Sequence, residues 1–228
     1  MSSLALAIFD CDGTLIDSEI IAAEVHAENF REFGLEIDAG EIAGRFAGLT
    51  GARMLELLAE ENEIRFPDDF LKRANEEIDL RLGRDVKAIA GADDVLDRLD
   101  LARCICSNSS SERLRISLTH VGLWDRFRPY VFAAKEVGTR REKPAPDVFL
   151  YACKEFEVTP EQAIVLEDSV HGVAAAAAAG CRVVGFTGGR HSYPGHSDSL
   201  SDAGAETVIA RLSDFPAVAE ALGGWERA

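Results

Sequence analysis

The sequence predicts an α/β fold, a Rossmann-like parallel sheet into which a helical segment is inserted, and three observations support this prediction. Short apolar runs rich in Val and Ile recur along the chain and end in polar or glycine residues. Helical stretches separate most of these runs, a pattern typical of a parallel sheet covered on both faces. Residues 19–86 interrupt the alternation, because only amphipathic helical patterns occur there.

Six strands are predicted from the apolar runs. In chain order they are LALAIF, RCICS, YVFAA, AIVLE, RVVGF and TVIA. The helices between and after them are predicted over residues 111–121, 146–156, 169–180 and 215–222. Functional sites of parallel sheets lie beyond the carboxyl ends of the strands, so the residues that follow each run are the first candidates for chemistry.

The helical segment is predicted to form a separate cap. Its helices are expected over residues 20–33, 41–46, 52–62 and 68–82, with turns near Gly34, Gly48 and Pro67. The chain enters this segment near Ser18 and leaves it at residues 86–90. We therefore predict an α/β core of residues 1–18 and 87–228 and a helical cap of residues 19–86.

The composition is that of a globular protein with a strong acidic excess. The 228 residues carry a formal net charge of -16, and the mean hydropathy is -0.02. Nucleic acid and anionic membranes are disfavoured as partners, because both require clustered Lys and Arg. The longest nearly uncharged stretch, residues 169–181, is too short to span a bilayer, and the first ten residues do not resemble a signal peptide. We expect a cytoplasmic protein that is a monomer or a weak homodimer.

The positions of the five cysteines argue against a disulfide framework. Cys104 and Cys106 are two residues apart in the predicted strand RCICS. A C-x-C pair without a second such pair or a spaced histidine is a weak zinc signal. We interpret the cysteines as small buried hydrophobic residues.

The first predicted strand ends in FDCDGT, which places Asp10 and Asp12 on either side of Cys11. At an extended strand end, residues i and i+2 point the same way and lie roughly 6–7 Å apart, so the two carboxylates share a face while Cys11 points to the other. This spacing suits one carboxylate at a reacting centre and another beside a leaving group. Gly13 allows a sharp turn close to a ligand. A solvated acidic turn is the structural alternative.

The D-x-D-G pattern also matches the start of an EF-hand calcium loop. That loop requires Gly at its sixth position and Glu at its twelfth. These positions are Leu15 and Ile21 here. Calcium binding of the EF-hand type is therefore excluded.

Polar residues also follow later strands or precede helices. Ser107 and Asn108 in ICSNSS could hold an anion with a hydroxyl and backbone amides, although both residue types are ordinary helix N-caps. Lys143 precedes two prolines in REKPAPDVF, in a stiff turn that fixes the position of its ammonium group. IVLEDSVHG ends its strand in Glu167 and Asp168, which could cap the next helix or, opposite the first acidic pair, supply oxygen ligands for Mg²⁺.

The segments DCDGT, ICSNSS, KPAPD and LEDSVHG together resemble the four motifs of the haloacid dehalogenase (HAD) superfamily of phosphohydrolases. The resemblance covers essentially the whole chain, including a helical cap inserted directly after the first motif. It is closest to the subgroup that contains β-phosphoglucomutase and phosphoglycolate or sugar-phosphate phosphatases. The RFAGLT and DSE segments are similar to those of bacterial 6-phosphogluconate phosphatases. This likeness implies a HAD-like fold and a phosphatase acting on a small phosphorylated metabolite, either a sugar phosphate or a phosphorylated sugar acid.

The resemblance also implies a role for each motif residue. Asp10 would attack phosphorus and form an aspartyl-phosphate, and Asp12 would protonate the leaving alcohol and then deprotonate the hydrolytic water. Mg²⁺ would be held by Asp10, the backbone carbonyl of Asp12 and Asp168, with Glu167 close by. The phosphoryl oxygens would be held by Ser107, the amide of Asn108 and Lys143.

Dehalogenation, phosphosugar mutase activity and a non-catalytic binding role are the alternatives to hydrolysis. Dehalogenation is not expected, because the haloacid dehalogenases proper lack the second aspartate and need no metal. A phosphosugar mutase of the β-phosphoglucomutase type remains open, although such sequences have a histidine where this chain has Ala22, and His26 lies one helical turn further on. A non-catalytic protein that binds metal or phosphate is an alternative of another class.

Specificity is expected to come from the cap, since an inserted helical domain can close over the substrate. The loop GRFAGLTGARM offers Arg45, Thr50 and Arg53 as partners for a carboxylate or for hydroxyl groups. Arginines on a helical domain are usually solvated, which is the alternative for both of them. Arg140 and Arg141 are further candidates at the mouth of the site.

The remaining polar residues near the motifs are interpreted as structural. His171, His191 and His196 lack the spacing of metal ligands, so we assign them to the surface or to the packing of the core. Asp17 and Glu19 follow the first motif and are interpreted as the start of the hinge into the cap.

Overall fold

A six-stranded parallel sheet forms the centre of the protein. The computed structural model describes residues 4–46 and 49–224. The strands are β1 (Leu6–Phe9), β2 (Ala102–Ser107), β3 (Val131–Ala133), β4 (Ala163–Glu167), β5 (Arg182–Phe186) and β6 (Thr207–Ile209). All neighbours pair in parallel in the order β3-β2-β1-β4-β5-β6. The six predicted strands and the α/β fold class are confirmed.

Eleven α-helices are present among the described residues. They are α1 (Ser18–Arg31), α2 (Ala39–Arg45), α3 (Gly51–Asn62), α4 (Phe70–Asp85), α5 (Ala92–Arg98), α6 (Ser111–His120), α7 (Trp124–Phe127), α8 (Asp147–Glu155), α9 (Val170–Ala179), α10 (His196–Asp202) and α11 (Phe215–Gly223). The eight predicted helices occur with ends shifted by a turn or less. Helices α5, α7 and α10 were not predicted, because each spans only four to seven residues and gives too short a periodic pattern.

Both faces of the sheet are buried, which explains the near-continuous apolar strands. In β1, Ala7 and Phe9 belong to one hydrophobic cluster and Leu6 and Ile8 to the other, and all four are fully buried. Helices α5, α6, α7 and α11 supply residues to the first cluster, and α8, α9 and α10 to the second. All five cysteines are buried, as interpreted from the sequence.

Helices α1 to α4, which we call the helical insert, have an apolar cluster of their own. Phe30 of α1 stacks on Phe70 of α4 with ring centroids 5.5 Å apart, and the cluster includes Met54 and Leu58 of α3. Other residues of α1 and α4, such as Ile78, pack into the sheet cluster instead. The insert therefore touches the sheet through two of its four helices, and the division into a core and a cap domain stays a prediction.

The two chain crossings between the sheet and the helical insert run side by side. The amide of Asp17 donates to the carbonyl of Lys87 at 2.9 Å, and the amide of Ile89 donates to that of Leu15 at 2.9 Å. These bonds tie together the entrance and the exit that the sequence places near Ser18 and at residues 86–90. No helix in residues 4–46 and 49–224 is long and apolar enough to cross a membrane.

The strand order fixes where a ligand can bind. Strand β1 lies between β2 and β4, and the direction in which the chain adds strands reverses at β1. In open α/β sheets, ligands bind outside the carboxyl ends of the strands at such a reversal. The first acidic motif, directly after β1, is therefore at the centre of the expected site.

Candidate active site

A cleft of about 780 Å³ separates the carboxyl edge of the sheet from the helical insert. Asp10 follows β1 and lines this cleft. Its amide donates to the carbonyl of Leu166 at 2.9 Å, which keeps the end of β1 level with the end of β4. Cys11 is fully buried in the sheet cluster on the opposite side, as the alternation predicts.

Lys143 connects the ends of β1, β2 and β4. Its Nζ donates to Asp10 Oδ1 at 2.6 Å, to Glu167 Oε1 at 2.5 Å and to the carbonyl oxygen of Cys106 at 2.8 Å. Burial by itself would lower the pKa of Lys143, but the two carboxylates outweigh burial and raise the pKa above its ordinary value. The ammonium group is therefore permanently charged at the bottom of the cleft.

Asn108 aligns the segment that carries Lys143. The amide of Lys143 donates to Asn108 Oδ1 at 2.9 Å, and Asn108 Nδ2 donates back to the carbonyl of Lys143 at 3.3 Å. This two-way pairing fixes the backbone at the root of the lysine side chain. The side chain of Asn108 thus has a positioning contact that the sequence did not indicate.

Asp12 is held by hydroxyl groups. Ser18 donates to its Oδ1 at 2.8 Å, and Ser107 and Ser109 donate to its Oδ2 at 3.1 and 2.8 Å. Ser18 is the first residue of α1, so the helical insert contributes directly to the orientation of this carboxylate. Neither Ser18 nor Ser109 was among the predicted site residues.

Three buried carboxylates form a cluster suited to a metal ion. One oxygen each of Asp10, Glu167 and Asp168 lie within 4.8 Å of one another. Burial raises the pKa of Asp10, Lys143 opposes this, and Glu167, Asp168 and Asp12 raise it further. Because a cation would offset that repulsion and carboxylate oxygens are hard ligands, the cluster fits a divalent ion of the Mg²⁺ type.

The carboxylates of Asp168 and Glu167 occupy space that is open only because Gly13 and Gly172 have no side chain. A Cβ atom at Gly13, where φ is +79°, would lie 2.2 Å from Asp168 Oδ2. A Cβ atom at Gly172, inside α9, would lie 1.8 Å from Glu167 Oε1. Any larger residue at these two positions would displace a carboxylate of the cluster.

His191 and His196 lie against Asp168, although the sequence indicated only structural or surface roles. His191 Nε2 is 2.8 Å from Asp168 Oδ2, and His196 Nε2 is 2.7 Å from the carbonyl oxygen of Asp168. Thr14 Oγ1 donates to the other carboxylate oxygen at 2.9 Å. Burial lowers the pKa of His191, but its bond to Asp168 outweighs burial and raises the pKa.

A sequence signal for His191 existed. It is the fifth residue after the end of β5, beyond the segment TGGR, and the carboxyl ends of parallel strands meet at one edge. Gly189 allows the close approach, because a Cβ atom there would lie 2.6 Å from the His191 ring and 2.9 Å from the carbonyl oxygen of Gly13. Applying the strand-end rule to all six strands would have found this residue.

Asp17 and Glu19 differ in their surroundings. Asp17 is buried, and its carboxylate accepts from the amide of Arg190 at 3.1 Å and pairs with the Arg190 side chain, so it ties the start of the helical insert to the loop after β5. Glu19 instead lines the cleft and is exposed. Desolvation within the cleft, reinforced by Asp12 and Asp168, raises the pKa of Glu19 to about 7.

The predicted specificity residues separate into two groups. Thr50 lines the cleft and caps α3 by accepting from the amide of Arg53 at 3.2 Å. Arg45 and Arg53 do not line it; Arg45 pairs with glutamates of the insert, and Arg53 Nη1 donates to Glu56 at 2.9 Å. Two residues of the predicted loop, Ala47 and Gly48, lie outside the described residues.

The remaining candidates are Arg140 and Arg141, which were predicted at the mouth of the site, and His171. Arg141 pairs with Asp147 at 2.8 Å, and neither Arg140 nor Arg141 lines the cleft. His171 does line it, from the first turn of α9. The structure therefore brings together the residues of the four motifs, and none of the four predicted arginines lines the cleft.

The family model of haloacid dehalogenase-like hydrolases matches residues 7–186. The chain belongs to this family. This hydrolase is 50% identical to a haloacid dehalogenase-like protein from Agrobacterium tumefaciens, with a TM-score of 0.93 over 96% of this chain and 99% of that one. It is 32% identical to a HAD family hydrolase from Deinococcus radiodurans with bound phosphate and sodium, with a TM-score of 0.85 over 100% of both chains.

A 6-phosphogluconate phosphatase from Escherichia coli is 28% identical to the HAD-like hydrolase over 99% of each chain. Together with the family match, these relatives confirm the predicted HAD resemblance, the fold class and the class of enzyme, a hydrolase of the phosphatase type.

Proposed function

We propose that the protein is a Mg²⁺-dependent phosphatase that hydrolyses a small phosphorylated metabolite through an aspartyl-phosphate on Asp10. One observation supports this proposal above the others. The carboxylate of Asp10 lies at the sheet edge between a permanently charged lysine and two further carboxylates, Glu167 and Asp168. A nucleophilic carboxylate must approach a phosphate dianion, and Lys143 together with a cation held by the three carboxylates would supply the positive charge that this approach needs.

The proposed reaction has two displacement steps. In the first, a carboxylate oxygen of Asp10 forms a bond to phosphorus, the bond from phosphorus to the alcohol oxygen breaks, and Asp12 gives its proton to that oxygen. In the second, Asp12 takes a proton from water, the water oxygen bonds to phosphorus, and the bond to Asp10 breaks. The hydroxyls of Ser18 and Ser109 would fix the direction in which Asp12 delivers the proton, while the hydroxyl of Ser107 would turn from Asp12 to the phosphoryl group.

The remaining motif residues bind the phosphoryl group in this proposal. Lys143 would offset negative charge on the phosphoryl oxygens, and Ser107 and the amide of Asn108 would donate hydrogen bonds to them. Mg²⁺, held by Asp10, Asp168 and the backbone carbonyl of Asp12 with Glu167 close by, would supply positive charge between the nucleophile and the phosphate. Thr14 and His191 would orient Asp168 through its two oxygens.

The substrate class proposed is a sugar phosphate or a phosphorylated sugar acid. The relative from Escherichia coli acts on 6-phosphogluconate, and a cleft of about 780 Å³ can enclose a six-carbon phosphate ester. The helical insert would cover the non-reacting part of the substrate, with Thr50 as the predicted specificity residue that lines the cleft.

Phosphate release from a panel of phosphate esters, with and without a chelator, tests the proposal. We expect turnover that needs Mg²⁺ and that Asp10→Asn abolishes, while Asp85→Asn, an exposed matched change, leaves it intact. An Asp10→Asn variant that still turns over would contradict the aspartyl-phosphate route. Isomerised product that requires a bisphosphate would indicate a mutase, and no turnover of any ester would indicate a binding protein.

A further inference from the structure

The side of the cleft formed by the helical insert carries no lysine or arginine among the described residues. Its lining is largely apolar: Ala22, Ala23, Ile42, Ala43, Phe46, Leu49, Met54, Ile78 and Leu82. Its charged members are acidic, Glu19 and Asp79. Ala47 and Gly48, which lie outside the described residues, are uncharged. An anionic group on the non-reacting part of a substrate would therefore find no cation on this wall.

The cations that line the cleft all come from the opposite side, and each already has a carboxylate partner. Arg113 Nε donates to Asp79 Oδ1 at 2.6 Å. Lys135 pairs with Glu142 at 2.9 Å, and Lys143 contacts two carboxylates at the bottom of the cleft. A substrate carboxylate that bound Arg113 would have to share the guanidinium group with Asp79 and would lie close to its negative charge.

The polar groups of the insert are suited to hydroxyl groups. His26 lines the cleft, and its buried Nδ1 has no hydrogen-bond partner among the described residues. Burial lowers the pKa of His26, so its imidazole is neutral near pH 7 and can donate to or accept from a hydroxyl. The hydroxyl of Thr50 accepts a hydrogen bond from the amide of Arg53 and can still donate its own proton to a ligand. The carboxylate of Glu19 offers acceptor oxygens.

From this arrangement we propose that the cleft selects phosphate esters of uncharged polyols and rejects those whose leaving group carries a carboxylate. The inference rests on the proposed phosphatase activity and narrows its substrate class. Like charges that approach one another within a cleft repel, and this wall has no lysine or arginine to offset the repulsion.

Two six-carbon substrates provide a matched test. Glucitol 6-phosphate and 6-phosphogluconate have the same chain and differ at C1, which is a hydroxymethyl group in one and a carboxylate in the other. We expect kcat/KM to be at least about tenfold higher for glucitol 6-phosphate, mainly through KM. p-Nitrophenyl phosphate, measured in parallel, reports on the phosphatase activity itself.

Variants that remove a negative charge from the insert test whether that charge causes the preference for the uncharged substrate. Glu19→Gln and Asp79→Asn should each narrow the ratio between the two substrates by about threefold to tenfold, since each removes a negative charge from the wall. Glu61→Gln removes the same charge from the insert at a residue that does not line the cleft, and should leave the ratio unchanged.

Each contrary outcome has a separate meaning. Equal rates, or a preference for 6-phosphogluconate that Arg113→Gln removes, would overturn the inference and leave the phosphatase in place. Turnover of p-nitrophenyl phosphate with neither six-carbon ester hydrolysed would also overturn it. If none of the three compounds releases phosphate, the proposed function itself fails.

Discussion

The two sides of the cleft are built on different principles. On the sheet side, two motif side chains have several partners each: Lys143 has three acceptors, and the carboxylate of Asp12 accepts from three hydroxyls. On the insert side, the lining is mostly apolar, and His26 Nδ1 has no partner among the described residues. The difference indicates that the sheet edge is preorganised for the reaction, whereas the insert supplies shape and a few contacts.

The largest effect on turnover and stability is expected at Lys143, whose ammonium group has three hydrogen-bond acceptors. Lys143→Met should lower kcat about a thousandfold, because Asp10 and Glu167 lose the charge between them. Leaving those buried carboxylates unpaired should also lower the free energy of unfolding by about 3–5 kcal/mol. Phosphate release and urea denaturation measure the two effects.

A control and a metal dependence sharpen that experiment. Lys154→Met, an exposed change on α8, should leave both quantities unchanged. Because a bound cation would replace part of the lost charge, the stability loss in Lys143→Met should be smaller with Mg²⁺ than with chelator. A Lys143→Met variant with full stability in chelator would show that the buried carboxylates do not need the ammonium group.

Gly172→Ala should have the next largest effect. The new methyl group would meet Glu167 Oε1 at 1.8 Å, so the carboxylate must move away from Lys143. We expect kcat to fall about a hundredfold, as for other displacements of about 1 Å in active sites. Gly44→Ala is the matched control in another helix, because the nearest atom to its new methyl group would be 3.5 Å away. Its free energy of unfolding should rise by about 0.5–1 kcal/mol, since alanine favours a helix more than glycine does. Equal behaviour of the two variants would contradict the crowding at Gly172.

His191→Ala should affect metal binding more than turnover. Without the contact to Asp168 Oδ2, the concentration of Mg²⁺ needed for half-maximal activity should rise about tenfold, while kcat at saturating Mg²⁺ changes less. A titration of activity with Mg²⁺ measures this shift, with the exposed His120→Ala as the control. An unchanged titration would remove His191 from the positioning of the metal site.

The smallest effects are expected on the insert. Arg45→Gln and Arg53→Gln together should change kcat/KM by less than about twofold, because both side chains pair with glutamates away from the cleft. Thr50→Ala should raise KM a few-fold and lower the free energy of unfolding by about 1 kcal/mol through loss of the cap of α3. A larger loss in the arginine variant than in Thr50→Ala would reverse the predicted roles of the two groups.

The strand-end motifs could be found from the sequence because local chemistry specifies them. Apolar runs specify strands, and parallel strands bring their carboxyl ends to one edge, so Asp10, Ser107 and Asp168 had to lie near one another. The partners of those residues were harder to find. Ser18 and Ser109 resemble ordinary polar loop and helix residues in the sequence, and only their contacts distinguish them.

The sequence by itself determined the sheet, the position of the helical segment and the family of the protein, because these depend on periodicity and on residues adjacent in the chain. Only the tertiary structure decided which charges face the cleft. Arg45 and Arg53 pair with glutamates within the insert. Arg113 pairs with Asp79, from which it is separated by 34 positions in the sequence. Which residue enters the cleft depends on how the insert packs on the sheet, and no local pattern encodes that packing.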